Sequence, residues 1–282
     1  MTARAPWAAV LGSPVAHSLS PVLHRAAYAE LGIDWDYTSI ECAESGLVDL
    51  LASVRRDAAW RGFSLTMPLK LAALELVDRP TRRAAAVGAV NTVLPDGDDL
   101  LGDNTDLPGV VSTLRELGVG APRRPVLLGA GGTARAAVGA LAELGATEAV
   151  VVVRAAGRAG PLVDLAAVLG LTLVTAEWSA AAAAVAAADV VVATTPAGAT
   201  DALAATGWPA AVPLLEVLYD PWPTGLAAAA RRAAAPVAGG LALLVHQAAV
   251  QVQLMSGKSA PIHAMRVAGE RALAARTGRH SG

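Results

Sequence analysis

The chain holds 282 residues, 54% of them hydrophobic, with a formal net charge of −2. That length suits one large or two modest domains, and the near-neutral charge gives no electrostatic reason to expect nucleic acid or an anionic membrane as a partner. A single cysteine, Cys42, excludes an intrachain disulfide and a multi-cysteine metal site and fits a reducing compartment.

Taken in chain order, Met1 to Pro6 lacks the long apolar core of a signal peptide, so a soluble cytoplasmic protein is expected. Residues 7–11 read as a strand and lead into the loop Gly12-Ser13-Pro14-Val15-Ala16-His17-Ser18-Leu19. Ser20-Pro21 reads as an N-cap and first helical residue, opening a helix to about residue 31. Residues 35–41, 60–65 and 89–94 read as further strands, with helices over 45–56 and 69–77. This alternation predicts an α/β domain over residues 1–106.

From Pro125 the pattern restarts. The run Val126-Leu127-Leu128-Gly129-Ala130-Gly131-Gly132-Thr133-Ala134-Arg135 reads as strand, glycine-rich turn and helix, the context a dinucleotide fingerprint needs. Gly129 would make the tight turn, Gly131 would let backbone approach a pyrophosphate, and Ala134 takes the small third position where helix packs on strand. Unpaired N–H groups and the positive dipole end of the helix then face the phosphates. The next strand, 148–153, ends in Val153-Arg154-Ala155-Ala156-Gly157-Arg158, with no acid for ribose hydroxyls and two guanidinium groups suited to a 2′-phosphate. NADP(H) is therefore expected over NAD.

Further strands near 171–174, 190–193, 214–218 and 236–238 alternate with alanine-rich helices and predict a doubly wound, Rossmann-like NADP domain over 107–240. Ligands of such sheets lie beyond the carboxyl ends of the strands, here at Thr194 to Gly198, Tyr219 to Pro223 and Gly239-Gly240. The alanine-rich tract 180–188 is too short for a membrane span and reads as helix. Residues 241–282 read as a C-terminal helical segment that returns to the first domain.

Twenty of the basic residues are arginine and only Lys70 and Lys258 are lysine. Arginine cannot give up its proton, whereas lysine can serve as acid or base, so a lysine kept against such a bias is a candidate for chemistry. Lys258, in Ser256-Gly257-Lys258-Ser259, lacks the upstream glycine and strand of a phosphate loop and reads as surface. Lys70 follows an apolar strand and a proline turn. Ser18, Ser20, Thr66, Asn91-Thr92 and Asp103-Asn104-Thr105-Asp106 add hydroxyls, amides and carboxylates at turns, an inventory for a neutral polyhydroxylated small-molecule substrate with Lys70 and Asp106 in proton transfer. No histidine pair has zinc spacing, and no serine-nucleophile elbow is present, so no metal is expected.

With these motifs in order along nearly its whole length, the chain resembles the shikimate dehydrogenase family. The stretch from Gly12 to Pro21 resembles that family's substrate loop, whose two serines correspond to Ser18 and Ser20. Leu65-Thr66-Met67-Pro68-Leu69-Lys70 resembles the strand end with the catalytic lysine, and Ala89-Val90-Asn91-Thr92 and Asp103-Asn104-Thr105-Asp106 the segments with the binding asparagine and catalytic aspartate. Gly240 to Ala249 resembles the returning helix with its substrate glutamine at Gln247, and Tyr219 matches a tyrosine near the substrate. The resemblance implies NADP-dependent reduction of 3-dehydroshikimate to shikimate on the way to chorismate and the aromatic amino acids, by a monomer or homodimer. It implies Lys70 and Asp106 as catalytic residues and Ser18, Ser20, Thr66, Asn91, Tyr219 and Gln247 as substrate-binding residues. Cofactor binding is expected from Gly129, Ala130, Gly131, Gly132, Thr133, Ala134, Arg154, Arg158, Thr194 and Gly240. The chain departs from the family's frequent residues at Ser64, an asparagine elsewhere, at Val153-Arg154-Ala155 for Asn-Arg-Thr, and at Leu243 for methionine. The rival readings are a sister enzyme acting on quinate with NAD and a non-catalytic NADP-binding sensor.

Overall fold

Runs of β-branched and apolar residues make strands that must be covered on both faces, and in the computed structural model β1 (Trp7–Gly12) is buried along its whole length. The structure describes residues 5–277; residues 1–4 and 278–282, which the expected bounds 1–106 and 241–282 include, lie outside the described residues. The chain divides into two units. Unit 1 holds the chain through Thr105 together with the residues from Leu244 on, and unit 2 runs from Asp106 to Leu243.

Unit 1 is built from β1, α1 (Ser20–Glu30), β2 (Asp36–Glu41), α2 (Glu44–Val54), β3 (Trp60–Leu65), β4 (Arg79–Pro80), α3 (Arg82–Val87), β5 (Thr92–Asp96) and β6 (Asp99–Asp103). Its sheet runs β2-β1-β3-β5-β6-β4. The β1/β2, β1/β3 and β4/β6 pairs are parallel, while β5 is antiparallel to both β3 and β6, so the sheet is mixed. Trp60 and Trp7 both pack against Phe63 in the core of this unit.

Unit 2 opens with α4 (Asp106–Glu116) and continues through β7 (Pro125–Leu128), α5 (Gly132–Glu143), β8 (Glu148–Val153), α6 (Gly160–Val168), β9 (Thr172–Glu177), α7 (Ala181–Ala187), β10 (Val190–Ala193), α8 (Asp201–Ala205), β11 (Leu214–Glu216), α9 (Gly225–Arg232) and β12 (Val237–Ala238). All its strands are parallel, in the order β12-β11-β10-β7-β8-β9. The order reverses between β7 and β10. There the loops leaving the two strands part, the place where doubly wound sheets hold their ligands. The long helix α10 (Gly240–Ser256) carries the chain from unit 2 back into unit 1, where α11 (Ile262–Thr277) packs on α1.

Several local expectations are corrected. Residues 69–77 form only one 3₁₀ turn over Ala72–Glu75, because Val90 N–H takes the Lys70 carbonyl at 2.8 Å and Leu74 bonds instead to Leu71. The strand expected over 89–94 begins at Thr92, since Ala89 N–H bonds back to Ala84 and Val90 N–H to Lys70. Leu19 occupies the N-cap of α1, with Ser20 the first helical residue; the acceptor comes from Ser18, whose Oγ receives the Ser20 N–H at 3.2 Å. The single C-terminal helix is two, parted at Gly257 and Pro261, and Lys258 between them donates its ammonium to the Leu31 carbonyl at the end of α1. The short elements β4, β6, α3 and α4 are not expected from the sequence pattern.

One buried titratable group in unit 1 sets a pH limit. His24 is fully buried, stacked on Tyr37 at 3.9 Å between ring centroids, with Nδ1 bonded to the Ser20 carbonyl at 2.9 Å. Burial, only partly opposed by that bond, pushes the imidazole down to about 4. The unfolded chain takes up this proton near 6.5, whereas the folded chain refuses it until about 4, so folding stability is fully present above the first value and lost as pH falls between the two. The loss is about 3 kcal/mol for this histidine alone. Urea unfolding at neutral pH and at the lower limit, on wild type and on His24→Phe, measures it; equal losses in both proteins would assign the acid sensitivity elsewhere.

Candidate active site

In unit 1 the loops after β1 and β3 lie side by side at the carboxyl ends of their strands. Ser13 N–H bonds to the Met67 carbonyl at 3.0 Å and Thr66 N–H to the Leu11 carbonyl at 2.8 Å. The Ser18 loop is held from the other side by Glu41, at the end of β2, whose carboxylate accepts the Val15 N–H at 3.1 Å. Hydrogen bonds from the Ser13 hydroxyl and from Val15 hold that carboxyl below its usual range. Because β5 runs antiparallel to β3, its start falls beside the end of β3, and Leu65 N–H bonds to the Asn91 carbonyl at 2.7 Å. Ser18, Thr66, Lys70 and Asn91 are thereby gathered on one edge of the sheet. Lys70 is half-buried and Ser20 buried.

The segment after β6 reaches the same edge on a rigid post. Asp103 is 2% exposed and accepts two bonds from the Arg83 guanidinium, one from the Thr81 hydroxyl at 2.6 Å and one from Asn104 N–H at 2.7 Å. The paired guanidinium bonds supply both charge and direction. Asn104 donates to the Ala89 carbonyl at 3.0 Å, and Thr105 N–H donates to Asn91 Oδ1 at 2.7 Å. Gln247, on α10, completes the group, its Oε1 accepting from Thr105 Oγ1 at 3.3 Å and from Asn91 Nδ2 at 3.5 Å.

Four further residues extend this cluster inward: Thr92, which stands beside Asn91 in the expected polar inventory, and Gln251, Ser64 and Tyr37, which are not among the expected site residues. Gln251 donates to Thr92 Oγ1 at 2.9 Å and accepts from Ser64 Oγ at 2.8 Å, and Ser64 Oγ lies 2.6 Å from Tyr37 Oη. The signal in the sequence is the Gln247/Gln251 spacing, which sets two amides on one face of a mostly apolar helix.

In unit 2, a cavity of about 500 Å³ opens at the reversal of strand order. It is lined by Gly129, Ala130 and Gly131 after β7, by Arg154 and Arg158 after β8, by Trp178 after β9, and by Thr194 and Thr195 after β10. Gly129 has φ +94°, and a Cβ there would stand 3.1 Å from Thr194 Oγ1 and Thr195 Cγ2, so the turn needs glycine on both counts. Gly131 caps α5 and its neighbour Gly132 starts it; a Cβ at Gly131 would meet only Thr194 O, at 3.9 Å, and at Gly132 nothing within 4 Å. That open space over a helix N-terminus, with two guanidinium groups on the same cavity, fits a dinucleotide carrying an extra phosphate.

Thr133 stands in the first turn of α5, and Ala134 is fully buried where the helix meets the sheet. Thr194 bonds through both its N–H and its hydroxyl to the Leu128 carbonyl, tying the loops of β7 and β10 together. Gly240 does not line the cavity: its N–H bonds to the Leu218 carbonyl at 2.8 Å, and a Cβ would fall 2.1 Å from the Val217 oxygen. Val153, Ala155, Thr195 and Pro196, which lie in the segments expected to face a ligand, also line it, and so do Trp178 and Ala199, which the sequence does not single out. Tyr219 sits half-buried in the loop after β11, whose base is closed by a hydrogen bond from Thr224 to Glu216 and whose far side carries Trp222 under the Arg231 guanidinium. Asp106 is buried in the first turn of α4, where the helix dipole favours a carboxylate.

Among the described residues, no group of three histidine, cysteine, aspartate or glutamate side chains is placed to hold a metal ion, and no helix is long and apolar enough to cross a membrane.

Fold and cavity together define unit 2 as a dinucleotide-binding module of doubly wound type. The profile described as the shikimate dehydrogenase substrate binding domain matches residues 10–93, and that of the shikimate 5'-dehydrogenase C-terminal domain matches residues 240–268. A relative named shikimate dehydrogenase (NADP(+)), from Geobacter metallireducens, is 37% identical over 274 residues, covering 91% of this chain and 93% of that protein. The crystal structure of Mycobacterium tuberculosis shikimate dehydrogenase superposes with a TM-score of 0.86 at 44% identity, over 94% of this chain and 99% of that one. The Thermus thermophilus shikimate 5-dehydrogenase, solved in complex with NADP(H) and shikimate, gives 0.83 at 34% identity, over 95% and 99%. The chain belongs to the shikimate dehydrogenase family.

Proposed function

We propose that this protein interconverts shikimate and 3-dehydroshikimate with NADP(H), in the route to chorismate and the aromatic amino acids. The observation that carries the reading is the likeness, across both units, to an enzyme solved with NADP(H) and shikimate together. The presence here of Ser18, Ser20, Thr66, Lys70, Asn91 and Gln247 on one side of unit 1 supports it.

The residues that would hold the dinucleotide are the Gly129-Ala130-Gly131 turn for its pyrophosphate and Arg154 with Arg158 for its 2′-phosphate. The nicotinamide, when bound, takes up or returns a hydride. Lys70 takes the proton of the substrate hydroxyl as that group becomes a carbonyl, and gives it back in the reverse direction, with Asp106 orienting the amine. The hydroxyls of Ser18 and Ser20 receive the substrate carboxylate, while Thr66, Tyr219 and the amides of Asn91 and Gln247 hold the ring hydroxyls. Proton and hydride leave one carbon–oxygen unit together, so the oxidation balances with no metal. The protein acts in the cytoplasm, as a monomer or homodimer, on a small molecule and not on nucleic acid; the near-neutral charge and the buried free thiol of Cys42 are in keeping with this.

The test is the initial rate of NADP and NAD reduction at alkaline pH with shikimate and with quinate. Shikimate with NADP is expected to be fastest. In Arg154→Ala the KM for NADP rises by about tenfold while that for NAD is little changed, the effect of one phosphate contact. Preference for quinate with NAD would move the protein to the sister activity. Tight NADP binding with no turnover of either acid would make it a sensor.

A further inference from the structure

The polar side chains behind the proposed substrate site form a chain of hydrogen bonds with a fixed direction. Three backbone groups fix it, because a backbone carbonyl only accepts and a backbone N–H only donates. Gln251 Nε2 reaches the Asn91 carbonyl at 3.3 Å, so its NH₂ group faces β5 and its Oε1 faces Ser64. Ser64 must then donate to Gln251 and accept from Tyr37. On the other side Gln251 donates to Thr92, leaving the Thr92 hydroxyl to donate to Asn91 Oδ1 at 2.9 Å. The Thr105 N–H donates to that same Oδ1, and Gln247 Nε2 donates to the Leu244 carbonyl at 3.0 Å.

The Asn91 amide is therefore held with its oxygen turned inward to Thr92 and Thr105 and its NH₂ turned to Thr105 Oγ1 at 3.0 Å and to Gln247 Oε1. Asn91, Thr92, Ser64 and Gln251 are all buried, so no bulk water competes for these bonds and a member that loses its partner keeps the cost of burial. We propose that Gln251 and Ser64 are positioning residues: acting through Thr92, they add to the hold of Thr105 on the Asn91 oxygen, so that the amide is offered to the substrate as a donor and not an acceptor. The inference rests on the reading that Asn91 holds a ring hydroxyl, and neither Gln251 nor Ser64 touches the substrate under it.

The deciding variant is Gln251→Glu, which keeps the shape, reverses the bond to Thr92 and removes the one to the Asn91 carbonyl. An ionised carboxylate can donate neither to Thr92 nor to the Asn91 carbonyl; the Thr92 hydroxyl turns to the carboxylate, and the Asn91 oxygen keeps only its bonds from Thr105. The KM for shikimate is expected to rise by about tenfold with kcat changed by less than about threefold and the NADP dissociation constant unchanged. Ser64→Ala raises KM in the same sense, and Ser64→Thr, which keeps the hydroxyl, restores it to within about twofold. Melting temperatures of all three variants separate misfolding from misorientation, since a merely unfolded fraction lowers kcat and leaves KM alone.

An unchanged KM in folded Gln251→Glu and Ser64→Ala, beside a raised KM in Asn91→Ala, would overturn the positioning role alone. An unchanged KM in Asn91→Ala as well would remove Asn91 from the substrate site. A wild-type protein inactive on shikimate would overturn the functional reading beneath both.

Discussion

Replacing Lys70 by alanine is expected to lower kcat for shikimate oxidation by about 10²- to 10⁴-fold, the range lost when a positioned acid–base group is removed. The stability of the protein should scarcely move. Lys70 lies in a loop, its side chain is half-buried, and its backbone is fixed independently of the side chain by the bond from Val90 N–H to the Lys70 carbonyl. Surface and loop truncations of this kind shift stability by about 0.5 kcal/mol. The informative companion is Lys70→Arg. Arginine keeps the positive charge but cannot release its proton, so it can hold a substrate oxygen without accepting the hydroxyl proton. A loss of kcat in Lys70→Arg nearly as large as in Lys70→Ala would mark proton transfer as the task of the lysine. Near wild-type turnover in Lys70→Arg would reduce Lys70 to an electrostatic contact.

What the sequence discloses, and what it hides, follows from the range of the forces involved. Strands β7, β8 and β10 of unit 2 are legible because each is a short, mostly apolar run that leads into a turn; β8 (Glu148–Val153) begins and ends where its pattern does, whereas β9 (Thr172–Glu177), mostly exposed, runs past the expected 171–174. The glycine turn is legible for the same local reason, its strand, turn and helix being contiguous. The hairpin of β5 and β6 is less so, since Pro95 and the cluster of aspartates from Asp96 to Asp99 break the apolar alternation on which strands are recognised. The 3₁₀ turn after Lys70 is set by a bond to Val90, twenty residues on, and no local propensity reports it. The site divides in the same way. Residues that sit in sequence motifs, such as Ser18, Lys70 and Asn91, can be proposed for the site from the chain alone. Gln251, Ser64 and Tyr37 acquire their partners only when three separate elements are brought together, and Ser64 by itself reads as a departure from a pattern.

Gly240 and Gly131 show the same limit, because the space around each is set by distant chain, and the contrast between them yields the largest stability effect expected. From sequence both read as cofactor glycines. At Gly240 a Cβ would stand 2.1 Å from the Val217 oxygen, 2.7 Å from its carbonyl carbon and 2.9 Å from that of Leu218. All three are backbone atoms, and the bond from Gly240 N–H to the Leu218 carbonyl holds them close, so nothing can rotate aside. Gly240→Ala must push the segment after β11 away from the start of α10. Overpacking of a rigid site costs about 3 kcal/mol, and the melting temperature should fall by about 10 °C. Tyr219 follows Leu218 directly, so the KM for shikimate should rise with it. At Gly131 a Cβ meets nothing closer than 3.9 Å and projects into open space, so Gly131→Ala should melt like wild type. Its cost appears only when NADP is added, as a dissociation constant raised by about tenfold or more, because the methyl occupies the space the pyrophosphate approaches. Thermal melts and calorimetric NADP titrations on the two variants decide between packing and ligand contact. A Gly240→Ala protein that melts like wild type and binds NADP weakly would mark Gly240 as a cofactor contact and not a packing position.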